Sequence, residues 1–236
     1  MNMNKAPQSV IVTGAAGNLG QAVARAFGAR GYRLALFDLN AEALRRAYGP
    51  ESADQLCVPL NLLDKLQVEA AVQQVAGQFG GVDVLCHLAG GFRMGEAVHT
   101  TSAQTLDFLL DINLRALLPI SAAVVPRMVA AGGGRIVTVG AMGAQRGGAQ
   151  MGAYAASKSA LMRMTESMSA ELKGQGINVN CVLPSIIDTP ENRAAMPAAD
   201  PTQWVTPQAL ADVMVFLASD AARAVHGASI PVTGLV

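Results

Sequence analysis

Short runs of apolar, β-branched residues alternate with longer Ala-rich stretches along the whole chain, and this alternation leaves few folds open. The runs cover residues 10–13, 33–37, 55–60, 82–88, 135–139 and 177–183, with a last one near 229–232. Most are apolar without strict polar alternation, the pattern of strands covered by helices on both faces. Helical stretches lie between them, at 19–30, 65–79 and 154–173 among others. Repeated β-α-β predicts right-handed crossovers and an α/β fold: a doubly wound, mostly parallel seven-stranded sheet in a three-layer α/β/α arrangement. No repeat or linker divides residues 1–236, so a single domain is expected. Residues 184–207 break the rhythm and hold five of the 11 prolines. A long irregular segment in a compact domain reads as a substrate lid.

Composition removes several classes of function. The 17 basic and 17 acidic residues cancel, so no net field draws nucleic acid or an anionic membrane surface. Ten aromatic residues (six Phe, three Tyr, one Trp) leave little for stacking bases. No apolar run of signal-peptide length precedes the first strand, and no stretch reaches the roughly 18 continuous apolar residues of a membrane span. Cys57, Cys86 and Cys181 are widely spaced within strand-like runs and read as buried thiols. His87, His99 and His226 show no paired ligand spacing, so no metal is expected. His87 reads as a strand residue bonded across the sheet. The chain is expected to be cytoplasmic and to act on a small molecule.

The first strand leads into Thr13-Gly14-Ala15-Ala16-Gly17-Asn18-Leu19-Gly20 and then a helix. Glycines at Gly14, Gly17 and Gly20 let the backbone approach a pyrophosphate at a helix N-terminus, where free N–H groups favour negative charge. Asp38 follows Gly20 by 18 residues at the tip of the second strand. Strand, Gly-rich turn, helix and acidic strand end together read as a Rossmann-type dinucleotide site. The Asp38 carboxylate can accept from ribose hydroxyls and repels a 2′-phosphate, and neither Gly17 nor Leu39 is basic. NAD(H) is therefore preferred, while Arg45 and Arg46 keep NADP(H) open. Asp38 could instead cap the next helix at residues 40–41.

Tyr154 and Lys158 occupy i and i+4 of a helix and share a face. A nearby ammonium favours phenolate, which lowers a phenol pKa that starts near 10. Such a pair can exchange a proton with a reacting oxygen or nitrogen. With these residues in view, the sequence resembles the short-chain dehydrogenase/reductase family over nearly its whole length. Gly14–Gly20, Asp38, Leu88-Ala89-Gly90, Asn113, Tyr154/Lys158 and Pro184…Thr189 fall in family order. The resemblance implies Tyr154 as proton donor, with Lys158 tuning it and binding the nicotinamide ribose. It also implies Asn113 in a proton relay, Asn61 and Leu62 beside the adenine, and Pro184, Ile187 and Thr189 against the nicotinamide.

Departures from the family pattern carry information. Its Asn-Asn-Ala-Gly is His87-Leu88-Ala89-Gly90 here, Asn18 replaces the middle glycine, and Ser185 follows Pro184. The active-site Ser that the family places 13 residues before the Tyr is Ala141. Losing one donor to a developing oxyanion typically costs on the order of 10²–10³ in rate. An electron-poor conjugated acceptor would suffer less. Residues 139–141, 152–154 and 183–197, with Trp204, Thr206 and Pro207, look like the dihydropteridine reductase branch, which lacks that Ser and uses NADH. Ala141, Met142, Phe92, Met94, Met196 and Trp204 are candidate walls of a substrate pocket. Trp204 and Met196 could equally pin the lid, and Arg193 could meet substrate or pair with Asp188 or Glu191. The main expectation is NADH-dependent reduction of C=O or conjugated C=N, with quinonoid dihydropteridine as the leading substrate. The alternatives are a carbonyl reductase or alcohol dehydrogenase of ordinary type, on 3-oxoacyl or cyclic ketone substrates, and a non-catalytic NAD-binding protein. The family likeness and the small residues of helices 105–131 and 152–173 suggest a homodimer or homotetramer.

Overall fold

The computed structural model describes residues 7–236; the leader reading above concerns residues 1–9, of which 1–6 lie outside the described residues. Seven strands, β1 (Ser9–Thr13), β2 (Arg33–Asp38), β3 (Gln55–Pro59), β4 (Val84–His87), β5 (Gly134–Val139), β6 (Ile177–Pro184) and β7 (Ser229–Val232), form one sheet. Its order is β3-β2-β1-β4-β5-β6-β7, and every pairing is parallel. The crossovers carry α1 (Asn18–Gly28), α2 (Ala41–Tyr48), α3 (Lys65–Phe79), α4 (Ala103–Leu110), α5 (Leu117–Ala130), α6 (Gly152–Leu172), α7 (Pro190–Ala195) and α8 (Pro207–Ala218).

Successive strand residues point to opposite faces, and both faces are covered. Val10, Val12, Leu36, Val84 and Val137 pack with Val23 and Phe27 of α1 and with Leu210 and Met214 of α8. Ile11, Phe37, Leu85, Ile136 and Val179 pack with Val72 and Val75 of α3 and with Ile120 and Val124 of α5. This double burial is why the strands read as continuous apolar runs. Local chemistry sets the helix ends: Asn40 caps α2 by accepting from the Ala43 N–H, and Asp64 caps α3 by accepting from Leu66 and Gln67. Asp38 therefore does not cap α2.

The chain winds outward from β1 to β3, then returns to β4 on the other side of β1. The carboxyl ends of β1 and β4 thus diverge and open a crevice at the switch point. At that edge Thr13, His87, Thr138 and Cys181 lie in one register row across the sheet.

Two stretches differ from the sequence expectation. Helix 105–131 is interrupted by one π-helical stretch, Asp111–Arg115, between α4 and α5. Residues 184–207 are not irregular throughout: they hold α7, a 3₁₀ turn at Pro201–Gln203 and a bridge pairing Ile187 with Val205. The helical run Ala103–Ala130 is long and apolar enough to cross a membrane by composition. Within it Leu109, Leu117, Ile120 and Met128 are buried against the rest of the protein.

At Gly20 a Cβ would collide with the Gly14 carbonyl oxygen and lie 2.7 Å from the Ala15 backbone. Neither neighbour is a flexible side chain that could yield. Gly20→Ala should cost about 1–3 kcal/mol, measured as a lower midpoint in urea unfolding.

Candidate active site

The turn between β1 and α1 is built to face an anion. Gly14 has φ +65°, and a Cβ there would lie 3.1 Å from the Ala89 backbone. No side chain caps α1 at Gly17, so the first-turn N–H groups of Asn18, Leu19 and Gly20 open toward the crevice. The crevice is a cleft of about 630 Å³. Gly14, Gly17, Asn18, Leu19, Gly20, Asp38, Leu39, Asn61, Leu62, Ala89, Gly90 and Thr189 all line it. The Asp38 carboxylate accepts from the Ala16 N–H at 3.0 Å and the Asn40 N–H at 3.1 Å, which fixes it beside the turn. Asp38 and Asp111 are the charged side chains on this wall, and no Lys or Arg is among them. A glycine-lined cradle, an uncapped helix start and an acidic strand end fit an adenine dinucleotide.

Gly90 joins this cleft to α6. A Cβ at Gly90 would lie 2.9 Å from Asn113 Oδ1 and 3.0 Å from Lys158 Nζ, so only a bare backbone permits that approach. Lys158 is buried, and its ammonium donates to the Val139 carbonyl at 2.8 Å. The Asn113 side chain makes three hydrogen bonds. Its Oδ1 accepts from the Gly91 N–H at 2.9 Å, and its Nδ2 donates to the Gly91 carbonyl at 3.0 Å and to Ser157 Oγ at 3.1 Å. Ser157 donates onward to the Tyr154 carbonyl at 2.8 Å. Asn113 sits on the π-helical stretch, a distortion frequent at functional sites.

Tyr154 is half-buried against an apolar wall. Met142 and Tyr154 pack on Ala141, Ala144 and Leu183, and the Phe92 ring meets Tyr154 edge-on at 4.8 Å. The structure therefore brings Phe92, Ala141 and Met142 to Tyr154. Trp204 and Met196 stand apart from the cleft wall, Trp204 being only 5% exposed at the base of segment 184–207. Pro184 ends β6, and Ile187 packs onto the core behind the cleft. The Thr189 hydroxyl caps α7 by accepting from the Asn192 N–H. Arg193 closes a two-bond pair with Asp188 at 2.6 and 2.8 Å, and Glu191 accepts from Asn18 at 2.8 Å. The latter bond ties segment 184–207 to the glycine-rich turn.

A family model described as Enoyl-(Acyl carrier protein) reductase matches residues 14–234. D-threitol dehydrogenase of Mycolicibacterium smegmatis is 34% identical over 236 residues, covering 95% of this chain and 90% of the relative. 2-(R)-hydroxypropyl-CoM dehydrogenase of Xanthobacter autotrophicus is 35% identical over 240 residues, covering 95% and 96%. The crystal structure of levodione reductase superposes with a TM-score of 0.88 at 27% identity, covering 96% of each chain. The chain belongs to the short-chain dehydrogenase/reductase family. It is an NAD(P)-dependent oxidoreductase of that family.

One electrostatic expectation needs correcting. Burial pushes the Tyr154 phenol up to about 12, where the sequence spacing suggested a lowered value. Desolvation is the one cause of that rise, and the Lys158 ammonium donates to the Val139 carbonyl. Burial pushes Lys158 itself down to about 8. At neutral pH the pair is thus a neutral phenol beside a cation. Sequence reasoning also missed Val139, Ser157, and the cleft-lining Phe108, Ile112 and Asp111. Ser157 lies inside the Tyr154–Lys158 motif, and its place one residue before the lysine was a usable signal. The Val139 carbonyl gave none.

The lowered Lys158 pKa has a stability consequence. Unfolded, the lysine keeps its proton to about 10.5, whereas folded it loses it near 8, so the unfolded chain binds more protons between those values. Its contribution to stability therefore rises with pH in that window. Relative to Lys158→Met, the wild type should gain about 2 kcal/mol between pH 8 and pH 10, read from denaturant unfolding of both proteins at each pH.

Proposed function

We propose that this chain is a carbonyl reductase and alcohol dehydrogenase of small molecules, with NAD(H) as its preferred cofactor and Tyr154 as proton donor. The observation that carries the reading is a half-buried Tyr154 one helical turn before a buried Lys158 whose ammonium adjoins Gly90 of the dinucleotide cleft. The named relatives, two dehydrogenases and a reductase, support this reading over the pteridine one. When bound, the dinucleotide supplies or accepts the hydride. The chain's residues do the rest. The amides of Asn18, Leu19 and Gly20 hold the pyrophosphate, and Asp38 accepts from ribose hydroxyls. Asn61 and Leu62 would hold the adenine, Ala89, Gly90 and Lys158 the nicotinamide ribose, and Pro184, Ile187 and Thr189 the nicotinamide. Asn113 acts through Gly91 and Ser157, holding the loop and helix that carry the site together.

Tyr154 Oη gives its proton to the carbonyl oxygen, and Phe92, Ala141 and Met142 exclude water around it. Segment 184–207 serves as lid, with Met196 and Trp204 pinning it or meeting substrate. The absence of a hydroxyl at Ala141 favours a second reading, in which a conjugated acceptor such as a quinonoid dihydropteridine needs less polarisation. NADH oxidation against a panel of cyclic and acyclic ketones, 3-oxoacyl thioesters and quinonoid dihydropteridine separates the two. We expect ketone turnover that Tyr154→Phe abolishes while NADH affinity holds. Turnover confined to the pterin would establish the second reading, and NADH binding without turnover of any acceptor would mark a non-catalytic binding protein.

The preference for NAD(H) rests on Asp38 and on a cleft wall without basic side chains. Arg46 is paired with Glu42 at 3.3 Å, and Arg45 faces a separate cavity with Glu51. Asp38→Ala should narrow the NADH/NADPH ratio of kcat/KM by about tenfold or more, and an unchanged ratio would remove Asp38 from cofactor choice. Exposed Leu106, Leu118 and Met164 on α4, α5 and α6 give these helices an apolar surface for homo-oligomer contacts. A cytoplasmic setting accords with three free cysteines.

A further inference from the structure

His87 occupies the end of β4 with 1% of its surface exposed, and its hydrogen bonds determine its protonation. Thr13 Oγ1 accepts from the Leu88 N–H at 3.1 Å and the Ala89 N–H at 3.2 Å. The same oxygen lies 3.1 Å from His87 Nδ1. A hydroxyl has two lone pairs and one proton. With both lone pairs taken by backbone amides, the proton goes to Nδ1, which must accept. His87 is therefore neutral, with its proton on Nε2. Burial and the nearby Lys158 charge act in the same sense, pushing the imidazole down to about 3.

Nε2 has no hydrogen-bond partner among the described residues. Among the described residues the ring's side-chain hydrogen bonding is thus confined to Thr13. What it does provide is the orientation of Thr13. Leu88, Ala89 and Gly90, which Thr13 holds or adjoins, form one wall of the cleft. Ala89 lies against Gly14 of the opposite wall, and Gly90 lies against Lys158 and Asn113.

We propose that His87 is a positioning residue for the cofactor cleft: as a neutral Nδ1 acceptor it fixes the Thr13 hydroxyl, and Thr13 fixes the backbone of residues 88–90 between the glycine-rich turn and Lys158. The effect reaches the dinucleotide only through that backbone.

Three measurements test this, two of them without cofactor. Nitrogen NMR of the wild-type protein without cofactor should show His87 protonated on Nε2 alone and untitrated from pH 6 to 8. In His87→Leu the Leu88 and Ala89 amides should exchange about tenfold faster, and the NADH dissociation constant should rise about tenfold. In His87→Asn, whose Oδ1 can take the place of Nδ1, both values should return to within about twofold of wild type. An Nδ1-protonated or cationic ring in the wild type overturns the proposal, even if the variants fail to fold. So does unchanged amide protection and NADH affinity in His87→Leu, or a fall in affinity matched by lost protection across the whole sheet.

Discussion

The ammonium of Lys158 is held in the interior by the carbonyl of Val139 at 2.8 Å, and the rest of the site is arranged around that bond. A buried cation is costly unless it is well paired, and the lowering of its pKa to about 8 registers that cost. The acceptor is available because Val139 is the last residue of β5, at the carboxyl edge of the sheet. The bond therefore fixes how far α6 stands along the sheet. Tyr154, one helical turn earlier, takes its height from the same constraint. Phe92 and the Ala141–Met142 wall then place the ring, and the Asn113–Ser157 and Thr138–Thr165 bonds hold the same helix.

That arrangement needs backbone where side chains would ordinarily be. Asn113 and Lys158 both come within about a methyl's reach of Gly90, and the Asn113 amide spends its bonding capacity on Gly91 and Ser157. The loop after β4 is thus gripped from α6 and the π-helical stretch on one side and from Thr13 on the other. The cleft and the helix that carries Tyr154 are consequently parts of one hydrogen-bonded assembly. A displacement of residues 88–91 would be felt at both.

How much of this was legible depended on whether the information sits in side chains at fixed spacing. The runs at 10–13 and 135–139 read correctly as doubly covered strands, because burial on both faces leaves them apolar throughout. The glycine turn and Asp38 read correctly as one cleft, because a strand, a turn and a helix in succession leave little geometric freedom. The π-helical stretch did not show: in an apolar segment rich in Leu and Ala, one extra residue per turn leaves no visible break in periodicity. Val139 could not show, since a carbonyl acceptor is the same for every residue type. The upward shift of the phenol did not show, because i, i+4 spacing gives proximity but not the burial of the oxygen. Segment 184–207 was read as irregular because its prolines suggested breaks, whereas Pro190, Pro201 and Pro207 each begin a helical turn, where a missing N–H costs nothing.

The neutral phenol and Ala141 bear on the same question of how a carbonyl would be activated. Where a serine hydroxyl and a tyrosine share the work, one oxygen polarises and the other delivers the proton. Here Ala141, Met142 and Phe92 surround Tyr154 with apolar surface, which concentrates both tasks on one O–H. A phenol near pKa 12 delivers its proton late, only once hydride arrival has made the substrate oxygen strongly basic. In the opposite direction the same oxygen must first lose that proton, which its burial makes costly. On the proposed reading, the burial of the phenol therefore favours proton delivery to a substrate oxygen over proton removal from an alcohol.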